Sequence, residues 1–170
     1  AAEQLFMCKL FERLSRTRPI EFITSRCPTP GFHEQVKSAE QMQLQVEAAV
    51  LASAAFMWID AIDLDGGINP DIYRRIGEVF AKTEPFEPYL GGEPVADIAV
   101  YFSNDSKMDF RDNGKPLREL VGNGLNYPHL TAARGVARVL QRAQILFDVV
   151  TGKDLPALDR YPLVILPNVL

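Results

Sequence analysis

At 170 residues the chain is long enough to bury a hydrophobic core and to hold parts of two domains. With 47% hydrophobic and 24% charged residues it has the make-up of a folded globular protein, which excludes a disordered or fibrous chain. Its 22 acids against 18 bases give a formal charge of -4, with no Lys/Arg block beyond short pairs such as Arg74-Arg75, so no nucleic-acid partner is expected.

Apolar runs such as Ala48–Ile59 and Leu163–Leu166 are broken by polar residues or too short for the roughly 30 Å of a bilayer core, and no basic-then-apolar pattern opens the sequence. No membrane partner is expected, and the compartment is not legible. Cys8 and Cys27 stand at no CxxC or metal-ligand spacing and read as buried thiols, so neither a metal nor a cofactor is expected.

Residues 3–16 place Leu5, Phe6, Cys8, Leu10, Phe11 and Leu14 at helical spacing, and Arg18-Pro19 breaks the pattern before Ile20–Ser25, which has strand composition. Residues 26–37 form a loop rich in Pro28, Pro30 and Gly31. Ser38 followed by Gln41 is a capping box for a helix to about Leu51, with Met42, Val46, Ala49 and Val50 on its buried face. Ala54–Ile59 is continuously apolar, as a parallel strand covered on both sides must be.

Asp60, Ala61, Ile62, Asp63, Leu64, Asp65, Gly66 and Gly67 then make an acidic turn, and Asn69-Pro70 supplies the cap and first residue of a helix burying Ile72, Ile76, Val79 and Phe80. Pro85, Pro88, Gly91, Gly92 and Pro94 end that helix and set a domain boundary near residue 92. Val95–Phe102 reads as a strand. A long loop from Ser103 to Pro128 follows, carrying Asp109, Arg111, Asp112, Asn113, Gly114 and Gly122-Asn-Gly124. A helix over 129–143, a strand at Leu146–Val150, a short helix near Leu155–Leu158 and a strand at Tyr161–Leu166 complete the alternation of β and α that defines an α/β fold.

Asp60, Asp63 and Asp65 fall at or just past the carboxyl end of a parallel strand, where α/β folds gather ligand and catalytic groups. Their spacing does not make an EF-hand, because Ile62 stands where a ligand should be. Turning the chain and capping backbone amides is an equal reading of the same acids. Arg26 and His33 flank the loop after the first strand, in reach of a sugar hydroxyl if that loop rims a pocket. Glu21 lies near a strand start, the stability face of a barrel. Ser103, Asn104 and Asp105 follow a strand where doubly wound domains bind ligands, without a phosphate-binding fingerprint. No GxSxG elbow, HExxH pair or Cys/His dyad with a third member supports serine, zinc or cysteine hydrolysis.

The stretch from Lys37 to Val46, the apolar strand ending at Ile59, Asp65-Gly-Gly-Ile-Asn-Pro70 and Tyr73-Arg-Arg-Ile-Gly77-Glu-Val-Phe80 resemble the closing strand and helix of α-L-fucosidase-type barrels. Pro94–Ser103, Gly135–Leu140, Phe147–Val150 and Tyr161–Pro167 resemble the amidotransferase-like trimerisation domain that follows the barrel in many β-galactosidases. The resemblance implies the last βα units of a (β/α)8 barrel over residues 1–92, then the start of a flavodoxin-like parallel sheet over residues 93–170. It also implies a retaining mechanism with two carboxyl groups about 5 Å apart.

In such barrels one catalytic carboxylate ends the fourth strand, upstream of every element here. In β-galactosidases the other ends the seventh, where Thr24, Ser25 and Arg26 stand. The helix pattern at the start has no cap before it, and the sequence stops directly after an apolar strand. The expectation is therefore a fragment of a glycoside hydrolase, inactive alone, with catalytic residues unassigned, carbohydrate as partner and Arg26, His33, Asp60, Asp63 and Asp65 as substrate-binding residues. A non-catalytic module for homo-oligomerisation or carbohydrate binding is the alternative, and a free-standing flavodoxin-like binder using Ser103–Asp105 is a third reading.

Overall fold

The apolar run Ala55–Ile59 forms a strand, β2, that pairs in parallel with β1, Glu21–Ser25. Phe22 stands opposite Phe56, Ile23 opposite Met57, and Thr24 opposite Trp58. The computed structural model describes residues 2–29, 32–62, 64–108 and 127–169. They form two compact units, Glu3–Gly92 and Glu93–Leu170.

In the first unit, α1 (Ala2–Leu14), α2 (Ala39–Val50) and α3 (Pro70–Ala81) accompany the two strands. Helix α2 starts where Ser38 Oγ accepts from the Gln41 amide, and α3 where Asn69 Oδ1 accepts from the amides of Asp71 and Ile72 ahead of the N-terminal Pro70. Successive strand residues point to opposite faces. Phe56 and Trp58 pack with Met42 and Val46 of α2 and Val79 of α3, and Phe22 packs with Cys8, Ala49 and Ala52. The opposite face carries Ile23, Met57 and Ile59, each about half exposed. Of the stripe predicted for α3, Val79 is fully buried while Ile72, Ile76 and Phe80 are half-buried. That helix packs on α2 and, through Phe80, edge-on against Phe56 of β2.

The second unit is a parallel sheet in the order β4-β3-β5, with β3 Ile98–Tyr101, β4 Phe147–Val150 and β5 Leu163–Ile165. Helix α4 (Asn104–Lys107) is a single turn capped by Ser103 Oγ, and α5 (Pro128–Arg142) buries Ala133, Ala137 and Leu140. Strand β4 is buried along its whole length.

The strands are shorter than their apolar runs. Val95 is exposed and β3 begins only at Ile98, because pairing with β5 opens at the Leu163 amide, which donates to Asp97 O. Tyr161 is lost to β5 because its amide closes the preceding 3-10 turn, Gly152–Arg160, on Leu158 O. Both sheets are parallel and flanked by helices, so the chain is an α/β protein with small parallel sheets. Of the loop predicted over 103–128, Asp109, Arg111, Asp112, Asn113, Gly114 and Gly122-Asn-Gly124 lie outside the described residues.

Candidate functional site

Because β1 and β2 run in the same direction in register, the residue after each strand end meets its counterpart. Ser25 stands opposite Ile59, and the next pair is Arg26 and Asp60. The Arg26 amide still donates to Ile59 O at 3.0 Å, extending the ladder by one residue. Its side chain therefore falls on the same side as Phe22 and Thr24, toward the helices.

There Arg26 Nε donates to Asp60 Oδ1, and Arg26 Nη1 donates to Gln35 O at 3.2 Å. Asp60 Oδ1 also accepts from the Ala61 amide at 2.7 Å. Both side chains are nine-tenths buried or more, at 6% and 10% exposed. The pair is charge-neutral and tied to backbone on both sides, which suits it to holding two strand-end loops in place.

A second cation stands beside it. Lys37 Nζ donates to Ser25 O at 2.6 Å and to Thr24 Oγ1 at 3.4 Å, and lies 5.2 Å from the centre of the Trp58 ring. The Lys37 amide donates to Arg26 O at 2.9 Å. Burial pulls the Lys37 pKa below its ordinary value, and the negative charge available to Cys27 partly opposes that. Cys27 is itself buried, its amide donates to Ser25 Oγ at 3.0 Å, and its sulfur is 3.9 Å from His33 Nδ1.

Of the residues singled out from sequence, Arg26 and Asp60 are thus brought together. His33 is exposed, with Cys27 as its side-chain neighbour. Asp65 is exposed, and its Oδ1 accepts from the Gly67 amide at 2.9 Å across Gly66, whose φ of +83° favours glycine. No hydrogen bond or ion pair joins His33 or Asp65 to the Arg26–Asp60 pair. Asp63 lies outside the described residues. Among the described residues no cluster of three His, Cys, Asp or Glu side chains is placed to hold a metal ion.

Sequence reasoning passed over Lys37 and Trp58, whose pairing depends on the strand register. It also passed over two polar groups of the second unit. Asp148 sits inside buried β4, where Tyr161 Oη donates to its Oδ2 at 2.6 Å and the Val149 amide donates to its Oδ1 at 2.8 Å. Burial first, and then the hydrogen bond to Asp148, raise the Tyr161 pKa. His129, buried at the start of α5, bonds to backbone through both ring nitrogens. A lone acid within Phe-Asp-Val-Val is a legible sign of a paired carboxylate; His129 carries no comparable local signal.

No protein-family model matches the sequence, and no curated protein does. Among solved structures, α-L-fucosidase isoenzyme 2 from Paenibacillus thiaminolyticus matches at TM-score 0.62 and 19% identity over 84% of this chain and 20% of that one. A β-galactosidase from Rahnella sp. R3 matches at TM-score 0.67 and 20% identity over 96% of this chain and 25% of that one. GH5_18 from Bifidobacterium longum subsp. longum matches at TM-score 0.58 and 14% identity, over 97% of this chain and 43% of that one. A variant of the last has been crystallised with Manβ1-4GlcNAc. The fold is glycoside-hydrolase-like. The chain spans a quarter or less of the fucosidase and the galactosidase, and under half of GH5_18.

Proposed function

We propose that this chain is part of a glycoside hydrolase of O-glycosyl bonds and does not hydrolyse them by itself. Residues 1–92 are read as the C-terminal part of its (β/α) barrel, and residues 93–170 as the N-terminal part of a flavodoxin-like, trimerisation-type domain. The observation that carries this reading is the bare face of the β1–β2 sheet. Parallel sheets occur almost only where both faces are covered, yet here Ile23, Met57 and Ile59 stand about half exposed opposite the helix-covered side. An open groove of about 470 Å³ between α1 and β1, lined by Met7, Phe11, Leu14, Ile20, Phe22 and Ile23, is suited to a further parallel strand beside β1.

The reading that the chain does not hydrolyse by itself is supported by chemistry at the strand ends. A retaining glycosidase needs two carboxyl groups about 5 Å apart across the sugar ring. At the ends of β1 and β2 the described carboxylate is Asp60, and it is engaged by Arg26. Arg26 and Asp60 are assigned the task of positioning loops, while the exposed His33 and Asp65, with Asp63, are assigned to sugar hydroxyls. Carbohydrate is the ligand assigned to this rim, a reading supported by the GH5_18 variant's complex with Manβ1-4GlcNAc.

A second reading is favoured by the same apolar face: a non-catalytic module that associates with its own copies or binds carbohydrate. Two measurements test the main reading. In a panel of nitrophenyl α-L-fucoside, β-D-galactoside and β-D-mannoside, the chain is expected to release no nitrophenol above buffer, and turnover abolished by Asp60→Asn would overturn that expectation. In an NMR titration with fucose, galactose and Manβ1-4GlcNAc, shifts are expected at His33 and at Asp65 to Gly67; no shift with any sugar removes carbohydrate as the ligand of this rim.

A further inference from the structure

In the second unit the chain leaves β3 for β4 on one side and returns as β5 on the other, so the gap between the carboxyl ends of β3 and β5 is the topological switch point of this sheet. Open α/β sheets place ligands in that gap because the following segments diverge to opposite faces and leave backbone groups unpaired. Here the gap holds an imidazole of the chain itself. The Ser103 amide, two residues past β3, donates to His129 Nε2 at 2.9 Å, and His129 Nδ1 is 2.6 Å from Pro167 O, two residues past β5. The ring is 1% exposed and lies 5.0 Å from the Phe102 ring, tilted at 44°.

The chemistry of the two partners decides the state of the ring. An amide N–H only donates, so Nε2 must accept, and a carbonyl oxygen only accepts, so Nδ1 must carry the proton. One neutral tautomer satisfies both, and it is the less common one of free histidine. We infer that His129 is the resident ligand of the switch-point crevice: a neutral heteroaromatic ring with one donor and one acceptor, supplied in cis, ties the ends of β3 and β5 together and closes the gap to other small molecules. This inference is independent of the glycosidase reading of the first unit.

Two experiments decide it. The chain has two histidines, so a His33→Asn variant leaves His129 as its single imidazole. In a long-range proton–nitrogen spectrum of that variant, the proton is expected on Nδ1; a proton on Nε2, or fast averaging between the two, overturns the inference. Second, His129→Gly empties the gap and is expected to lower the melting temperature by about 10 °C, since the buried Pro167 carbonyl and the part-buried Ser103 amide lose their partner. Added imidazole is expected to restore much of that loss while leaving the wild type unmoved. 1-Methylimidazole, which accepts but cannot donate to Pro167 O, is expected to restore little. No rescue by imidazole, or equal rescue by both compounds, overturns the inference, and if His129→Gly does not fold, the tautomer of the native ring decides.

Discussion

Arg26 and Asp60, thirty-four residues apart, form a buried ion pair across the ends of two adjacent parallel strands, with Gln35 O taking a second guanidinium hydrogen bond. Removing one partner of such a pair leaves a charge buried without its counter-ion, whereas removing both does not. Asp60→Ala is therefore expected to lower unfolding free energy by roughly 3–5 kcal/mol. The double change Arg26→Met/Asp60→Leu is expected to cost less than Asp60→Ala alone. Urea denaturation of the wild type and the two variants checks this, and a double variant that loses as much as Asp60→Ala or more would show that the two side chains do not depend on each other.

The Asp148–Tyr161 pair makes a similar statement for the second unit. Tyr161→Phe removes the phenol that donates to Asp148 Oδ2, in a carboxylate that also accepts from the Val149 amide and lies 3.7 Å from Arg160 Nη2. The expected loss is about 1–3 kcal/mol, the cost of taking one donor from a buried acceptor. A change below the error of chemical denaturation would mean that the carboxylate finds another donor.

Cys8 predicts a pH dependence. Burial raises its thiol pKa from 9.0 to about 11, so the unfolded chain gives up this proton at lower pH than the folded one. The unfolded state then binds fewer protons across that window, and by linkage the stability contributed here is full below pH 9.0 and falls as pH rises toward 11. Cys8→Ala lacks that titration. The stability difference between wild type and Cys8→Ala, measured from pH 8 upward, is expected to shrink as pH rises; a constant difference would mean the thiol ionises equally in both states.

Local chemistry was legible in the sequence. Ser38 and Asn69-Pro70 cap helices as their side chains dictate, and Asp65-Gly66-Gly67 turns the chain through an Asp–amide hydrogen bond. The α/β alternation was legible for the same reason, since apolar periodicity is written residue by residue. The ends of the strands were less so, because the limits of β3 and β5 depend on where their partner begins to pair. Least legible were groups whose meaning comes from register or crossover. Nothing near Arg26 in the sequence names Asp60 as its partner, and nothing near His129 points to Ser103 or Pro167.

The proposal that the bare face of the β1–β2 sheet is built to be covered is tested most directly by the solution mass of the chain across a concentration series, measured by light scattering. The wild type is expected to rise above its monomer mass of 19.0 kDa as copies cover Ile23, Met57 and Ile59, and Met57→Lys/Ile59→Lys is expected to return it to the monomer. A wild type that stays at 19.0 kDa throughout, or a lysine variant that associates just as strongly, would contradict the assignment of this face.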